Sequence, residues 1–205
     1  MTITDVRATG LAVQAGGASG ARGVDLHARA GQILGLTGPS GSGKTTLLYA
    51  LAGLTRAAGE LLVDGRPVVL WRDASAGLIF QNLCLVALLS AEETVALPLQ
   101  AKGTPRAEAA RASAAVLAKL GLTDHAAQQV GDLSGGQRQR VAVARALVST
   151  PDVILADEPT SALDPHWRQV VLDLLIDEAR RGAVVIVASS DAEVTSVCDQ
   201  LVTLE

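Results

Sequence analysis

One octapeptide limits what this chain can fold into more than any other stretch. Gly38-Pro-Ser-Gly-Ser-Gly-Lys44-Thr45 has the spacing G-x-x-x-x-G-K-[ST]. It follows Gln32-Ile-Leu-Gly-Leu36, an apolar run that reads as a strand, and precedes Thr45 to Leu51, which reads as a helix stopped near Gly53. Glycines let the backbone turn tightly enough for its N–H groups to converge on phosphate oxygens. The N-terminus of the following helix adds the positive end of its dipole. Lys44 is expected to reach the β- and γ-phosphates of ATP and the Thr45 hydroxyl to hold Mg²⁺. Gly38, Pro39, Ser40, Gly41, Ser42, Gly43, Lys44, Thr45 and Thr46 are therefore the expected phosphate cradle.

A strand feeding a helix through such a loop belongs in an α/β sheet, and the chain continues in that style. Leu61-Leu-Val63 reads as a short strand closed by the turn Asp64-Gly65, and Leu78-Ile-Phe80 as a buried strand. The character then changes. Ser90-Ala-Glu-Glu93 has capping-box spacing. Thr104-Pro105 predicts a cap followed by an N1 proline, with a helix running to Gly121 and Val116, Leu117 and Leu120 on one face. Residues 82–150 read as mostly helical. The strand pattern resumes at Val153-Ile-Leu-Ala156, Val184 to Ala188 and Leu201-Val-Thr-Leu204. The expected architecture is one domain over residues 1–205. Its core is 1–81 and 151–205, carrying a mainly parallel sheet and a small antiparallel β sub-domain, and 82–150 form an inserted helical sub-domain.

Composition narrows the class. The chain is 49% hydrophobic with mean hydropathy +0.33, yet its apolar runs, such as Ala183 to Ala188, fall far short of the ~20 residues that cross a bilayer. Met1 to Asp5 lacks the basic and apolar regions of a signal peptide. Apolar richness without a span suggests a parallel sheet covered by helices on both faces. The net charge of -4 argues against a nucleic-acid partner. Cys84 and Cys198 are expected to be small core residues of a reduced protein. His27, His125 and His166 are scattered, without metal-ligand spacing.

Two further stretches carry chemistry. Asp157 ends an apolar strand, where a carboxylate can meet the Mg²⁺ held by Thr45, and Glu158 follows it in position to polarise an attacking water. Leu133-Ser-Gly-Gly-Gln137 precedes a helix read from Arg138 to Val148. Ser134 can cap that helix, and Gly135 and Gly136 bare its amides, which makes a second anion site. Two cradles with one loop lysine suggest that the second serves a nucleotide on another chain.

With these motifs in hand, the chain resembles the nucleotide-binding subunit of an ATP-binding cassette (ABC) transporter along nearly its whole length. Gly38–Thr45 resembles the Walker A loop, and Gln81 in Ile79-Phe-Gln-Asn82 matches the Q-loop glutamine. Leu133–Gln137 resembles the signature motif, Val153–Glu158 the Walker B strand with its catalytic glutamate, and Ser161-Ala-Leu-Asp164 the D-loop. The resemblance implies a head-to-tail pair of cassettes, identical or different, with each ATP between one chain's Walker A loop and the other's signature residues Ser134, Gly135, Gly136 and Gln137. It implies that Glu158 and Gln81 are catalytic, that Thr45, Gln81 and Asp157 surround Mg²⁺, and that Gln81 and the helical insertion face a transmembrane permease. The subunit would then sit peripherally on the cytoplasmic face of the membrane. Val95-Ala-Leu-Pro-Leu99 and Ala156–Asp164 most resemble the branch of lipoprotein release and macrolide export.

The chain departs from the family pattern at three places. Ser190, in Val187-Ala-Ser-Ser-Asp191, stands where the family has the H-loop histidine that contacts the γ-phosphate. Serine is shorter and carries no positive charge, and losing one transition-state contact typically costs about 10²–10³ in rate. No aromatic precedes Tyr49, so Val13 to Gly17 offers no ring for adenine stacking. Leu70 to Ser75 is shorter than usual, and the chain stops soon after its last strand. Two alternatives to an energy-coupling ATPase follow: a regulatory, hydrolysis-deficient cassette in a heterodimer, and a non-transport ABC ATPase. The second normally needs long coiled coils or fused cassettes, which this sequence lacks.

Overall fold

A computed structural model describes residues 2–13, 20–67 and 76–205. Among the described residues, nine strands form two sheets, one antiparallel and one wholly parallel, and six α-helices pack with them. The strands are β1 (Asp5–Val13), β2 (Val24–Arg29), β3 (Ile33–Thr37), β4 (Ala57–Val63), β5 (Arg66–Pro67), β6 (Ala76–Ile79), β7 (Val153–Asp157), β8 (Val184–Ala188) and β9 (Gln200–Thr203). The helices are α1 (Lys44–Leu51), α2 (Ala91–Ala101), α3 (Arg106–Lys119), α4 (Gly135–Leu147), α5 (Pro165–Arg180) and α6 (Ala192–Ser196).

The parallel sheet has the order β6-β7-β8-β3-β9, and the antiparallel sheet the order β2-β1-β4-β5. Register follows the buried apolar runs: Ile33 lies opposite Val185 and Val153 opposite Val184. The two-residue period of a strand then splits the core in two. Ile154, Ala156, Val185 and Val187 pack with apolar residues of α2 to α5. Val153, Leu155, Val184, Ile186, Leu34 and Leu36 pack on the other side against α1 and the antiparallel sheet. Helices α2 to α5 therefore cover one face. The other face is shared between helix α1 and the strands β1 and β2, so the expected second helical layer is there only in part. Buried Val6, Ala8, Leu26 and Ala28 make the inner side of the antiparallel sheet apolar enough to replace a helix there.

Local signals account for most element ends. Asp64 and Gly65, at φ 48 and 73, make the tight hairpin joining β4 to β5. The strand before that turn starts earlier than Leu61, at Ala57, because Ala57 pairs with Val13. Ser90 and Glu93 form the reciprocal capping box of α2. Thr104 does not cap α3. Pro105 is itself the N-cap, with extended ψ 139, and its carbonyl takes the N–H groups of Glu108 and Ala109. At the far end Gly121, at φ 63, allows the Leu122 and Gly121 amides to reach the carbonyls of Leu117 and Ala118, a Schellman closure. Helix α4 starts at Gly135, three residues before the expected Arg138, because Ser134 caps it.

Of the two cysteines only Cys198 packs against the core. Cys84 is exposed and Cys198 half-buried, Cys84 because it sits in a turn at φ 48. Burial, with Asp199 alongside, pushes the Cys198 thiol up to about 11. Among the described residues no helix is long and apolar enough to cross a membrane, and no three or more His, Cys, Asp or Glu side chains are grouped as metal ligands.

Candidate nucleotide-binding site

Parallel strands end at one edge of their sheet, and that edge collects the site. The Gly38–Thr45 loop follows β3, Gln81 follows β6, Asp157 closes β7, and Ser189 and Ser190 follow β8. A cleft of about 750 Å³ lies there, lined by the loop residues Ser40, Gly41, Gly43, Lys44, Thr45 and Thr46 and by Gln81, Asp157, Glu158, Ser161, Arg168, Ser190 and Asp191. Nearly every residue expected around the phosphates and the metal is thus brought together. Gly38, Pro39 and Ser42 shape the loop without lining the cleft.

The glycines are dictated by space as well as by dihedral angle. A Cβ on Gly38, at φ +143, would stand 2.3 Å from the Leu204 carbonyl oxygen, and one on Gly43, at φ +94, 2.7 Å from the Ala21 nitrogen. Gly43 is the N-cap of α1 and provides no side-chain acceptor, so the first amides of α1 are left for an anion. Lys44 Nζ donates to the Gly38 and Pro39 carbonyls, at 2.7 and 3.0 Å, which keeps the ammonium against its own loop.

Asp157 is only 1% exposed, and its Oδ2 is buried without a hydrogen-bond partner. Burial raises its pKa, with a further push from Glu158, while the Thr45 side chain, hydrogen-bonded to the carboxylate, and Lys44 pull it down. A buried carboxylate oxygen with no partner, beside a threonine hydroxyl, fits a hard, oxygen-seeking cation such as Mg²⁺. Thr45 and Asp157 are the residues that would hold it, and Gln81 lines the same cleft.

Glu158 is held at both ends. Its backbone sits at φ 47, a left-handed conformation that costs a non-glycine residue of order 1–3 kcal/mol. The Glu158 N–H donates to the Ala188 carbonyl at 2.9 Å, and the Glu158 carbonyl accepts from Ser161 Oγ at 3.2 Å. Its carboxylate accepts from Ser189 Oγ at 2.7 Å, and from Ser190 N–H and Oγ at 3.0 and 3.2 Å. Ser190, at the expected H-loop position, therefore contacts the Glu158 carboxylate. Ser189 is 1% exposed and escaped the reading of the sequence. The one available signal was a hydroxyl ending a buried apolar strand. Arg168, which bonds Glu193 at 2.7 Å beside the cleft, had no local signal at all.

Ser134 to Gln137 do not line this cleft. Ser134 Oγ accepts from the Gln137 N–H and the Gln137 side chain accepts from the Ser134 N–H, a full capping box on α4. The adenine-facing stretch expected at Val13 to Gly17 falls, beyond Val13, outside the described residues, as does the shortened segment Leu70 to Ser75.

Residues 21–161 match the family model for the ABC transporter. The chain belongs to the ABC transporter ATP-binding family. The methionine import ATP-binding protein MetN of Caulobacter vibrioides is 38% identical over 200 residues, which cover 93% of this cassette and 60% of that protein. The pyoverdine export ATP-binding/permease protein PvdT of Pseudomonas fluorescens is 41% identical over 190 residues, covering 88% of this cassette and 29% of that protein. The cassette thus spans about 60% of the length of its methionine-import relative. Its fold matches the dimeric bacterial ABC transporter cassette MJ0796 with TM-score 0.88 at 30% identity, over 97% of this chain and 94% of the other. The same MJ0796 cassette in a post-hydrolysis state bound to ADP and Pi matches with TM-score 0.87, again at 30% identity, over 98% and 94%.

Proposed function

We propose that this cassette binds and hydrolyses ATP, with Mg²⁺, as the peripheral subunit of a membrane transporter, at the cytoplasmic face. The observation that carries the proposal is the division of labour between two anion sites. Lys44, Thr45, Asp157 and Glu158 share one cleft, while Ser134 to Gln137 lie outside it. Two copies, or this chain and a different cassette, would complete each site by laying one signature motif over the other's Walker A loop. Glu158 is the base for the attacking water, Gln81 and Ser190 flank it, and Mg²⁺ would screen phosphate charge.

The helical side supports a permease partner. Val86, Leu88 and Leu97 are exposed apolar side chains, 52%, 78% and 42% accessible. A groove of about 400 Å³ between α2 and α3 is lined by Leu88, Glu92, Gln100 and Arg106. Relatives include one named for import and one named for export. Export is the direction favoured by the Val95–Leu99 resemblance. The net charge of -4 speaks against nucleic acid as a partner.

A second reading is motivated by Ser190. A cassette whose H-loop position is serine would hydrolyse slowly and act as the regulatory half of a heterodimer. One experiment addresses both: steady-state ATP hydrolysis by the purified chain and by Glu158→Gln, with size-exclusion chromatography in ATP and Mg²⁺. Hydrolysis abolished by the substitution, with an ATP-dependent dimer in the variant, supports the ATPase. Binding without hydrolysis supports the regulatory reading, and no ATP binding overturns both.

A further inference from the structure

We infer that His125 is a positioning residue for the signature motif, acting as a neutral imidazole in the Nδ1–H tautomer. The inference rests on the reading that Ser134 to Gly136 engage the nucleotide of a second cassette, and it concerns how those residues are held.

The argument runs from backbone to backbone. The Ser134 N–H can only donate, and it donates to Gln137 Oε1 at 2.8 Å. That bond fixes which way the Gln137 amide faces, so Nε2, a donor, is the atom turned to His125. It stands 2.9 Å from His125 Nε2, which must accept and therefore carries no proton. From the other side, the Asp132 carbonyl can only accept, and it takes Gln128 Nε2 at 3.4 Å. Gln128 Oε1 is then the atom facing His125 Nδ1, at 3.0 Å, so Nδ1 carries the proton. Both ring nitrogens are assigned by partners whose own roles are set by the main chain.

The consequence is mechanical. Gln137 closes the capping box of α4 by accepting from Ser134 N–H and donating its own N–H to Ser134 Oγ, at 3.2 Å. An amide side chain at the start of a helix has many rotamers, and only one serves the cap. His125, half-buried on the turn Thr123–His125, selects that rotamer from behind. Ser134 and Gly135 stay exposed in front, with the first amides of α4 aimed outward. A side chain without an acceptor at this position frees Gln137 to leave the cap, and Ser134 with it. No charge on the ring is required. An imidazolium would place N–H against N–H at Gln137 and break the chain of bonds.

The test has two independent readouts on the full chain at pH 7.5. The first is the ¹⁵N resonance pattern of the His125 ring. A protonated Nδ1 and unprotonated Nε2 are expected, with Gln137→Ala releasing the ring towards the Nε2–H form that an unconstrained imidazole favours. The second is ATP-driven dimerisation in the Glu158→Gln background. His125→Leu is expected to raise the ATP concentration at the midpoint about fivefold, the effect of weakening one helix cap. His125→Gln, which keeps an acceptor at the ε position, is expected to restore it, and thermal melts of both variants check that the fold survives. An Nε2–H ring or an imidazolium in the wild type overturns the inference, as does a His125→Leu variant that dimerises like its parent. If the Glu158→Gln parent itself fails to dimerise in ATP, the sandwich reading falls, and the ring tautomer with its dependence on Gln137 decides the hydrogen-bond assignment by itself.

Discussion

Ser189 Oγ donates a 2.7 Å hydrogen bond to Glu158 Oε2, and the same hydroxyl accepts the Asp191 N–H at 3.1 Å. Its single proton is thereby committed to the carboxylate. Glu158 is then fixed through both oxygens, because Oε1 takes the Ser190 N–H and hydroxyl. The base role proposed for Glu158 requires a fixed direction towards the attacking water, and these donors supply it.

Ser189→Ala is expected to lower kcat roughly tenfold, the worth of a hydrogen bond to a charged group, with little change in KM for ATP. Ser189→Thr keeps the hydroxyl and is expected to retain most of the rate. Steady-state hydrolysis of the three proteins checks this, and an alanine variant at wild-type kcat would refute it.

Ser190→His is expected to raise kcat roughly tenfold or more, by restoring a transition-state contact to the γ-phosphate. Ser190→Ala removes only the 3.2 Å hydroxyl contact and leaves the 3.0 Å backbone N–H in place. Its loss is expected to stay within about threefold. A histidine variant slower than wild type would mean that the hydroxyl on Glu158 matters more than a phosphate contact.

Asp157 gives a pH-dependent prediction. Burial raises its pKa in the folded chain, so the folded state binds the proton more tightly than the unfolded state. Its contribution favours folding at low pH and is lost as pH rises through the raised value. Asn has no proton to lose. Asp157→Asn is therefore expected to be more stable than wild type at pH 8 without Mg²⁺, with the gap shrinking towards pH 4 and Mg²⁺-dependent hydrolysis abolished. Urea unfolding at both pH values is the measurement, and a variant less stable at pH 8 would contradict the assignment.

Gly121→Ala tests the helical insertion. The residue sits at φ +63, and a Cβ there would fall 2.1 Å from the Trp167 ring, which is itself stacked under the Arg140 guanidinium at 4.0 Å. Strain and overpacking together are expected to cost roughly 3 kcal/mol, read as a lower urea midpoint. An unchanged midpoint would show that Trp167 can move aside.

Much of the fold was legible along the chain because its causes are local. The octapeptide of the phosphate loop, the capping boxes at Ser90 and Ser134, the tight turn at Asp64-Gly65 and the apolar runs of β7 and β8 each lie within a few residues, where steric and hydrogen-bonding rules act directly. The readings that failed were also local: Thr104 yields the N-cap to Pro105, and Cys84 lies in an exposed turn rather than the core. Composition alone could not tell which layer covers the second sheet face, since a half-apolar antiparallel sheet and a helix bury similar surface.

The sequence by itself determined the phosphate loop, the Asp157-Glu158 pair at a strand end, and the helix that Ser134 caps. The tertiary structure decided what meets what. Lys44, Gln81, Glu158 and Ser190 are distant in the chain, and they share one cleft because the order β6-β7-β8-β3 sets their strand ends side by side. The Ser189 bond to Glu158 and the assignment of His125 through Gln128 and Gln137 are likewise products of packing. Contacts between distant segments leave no periodicity in the sequence, because their geometry exists only once loop closure has been offset by burial of the core.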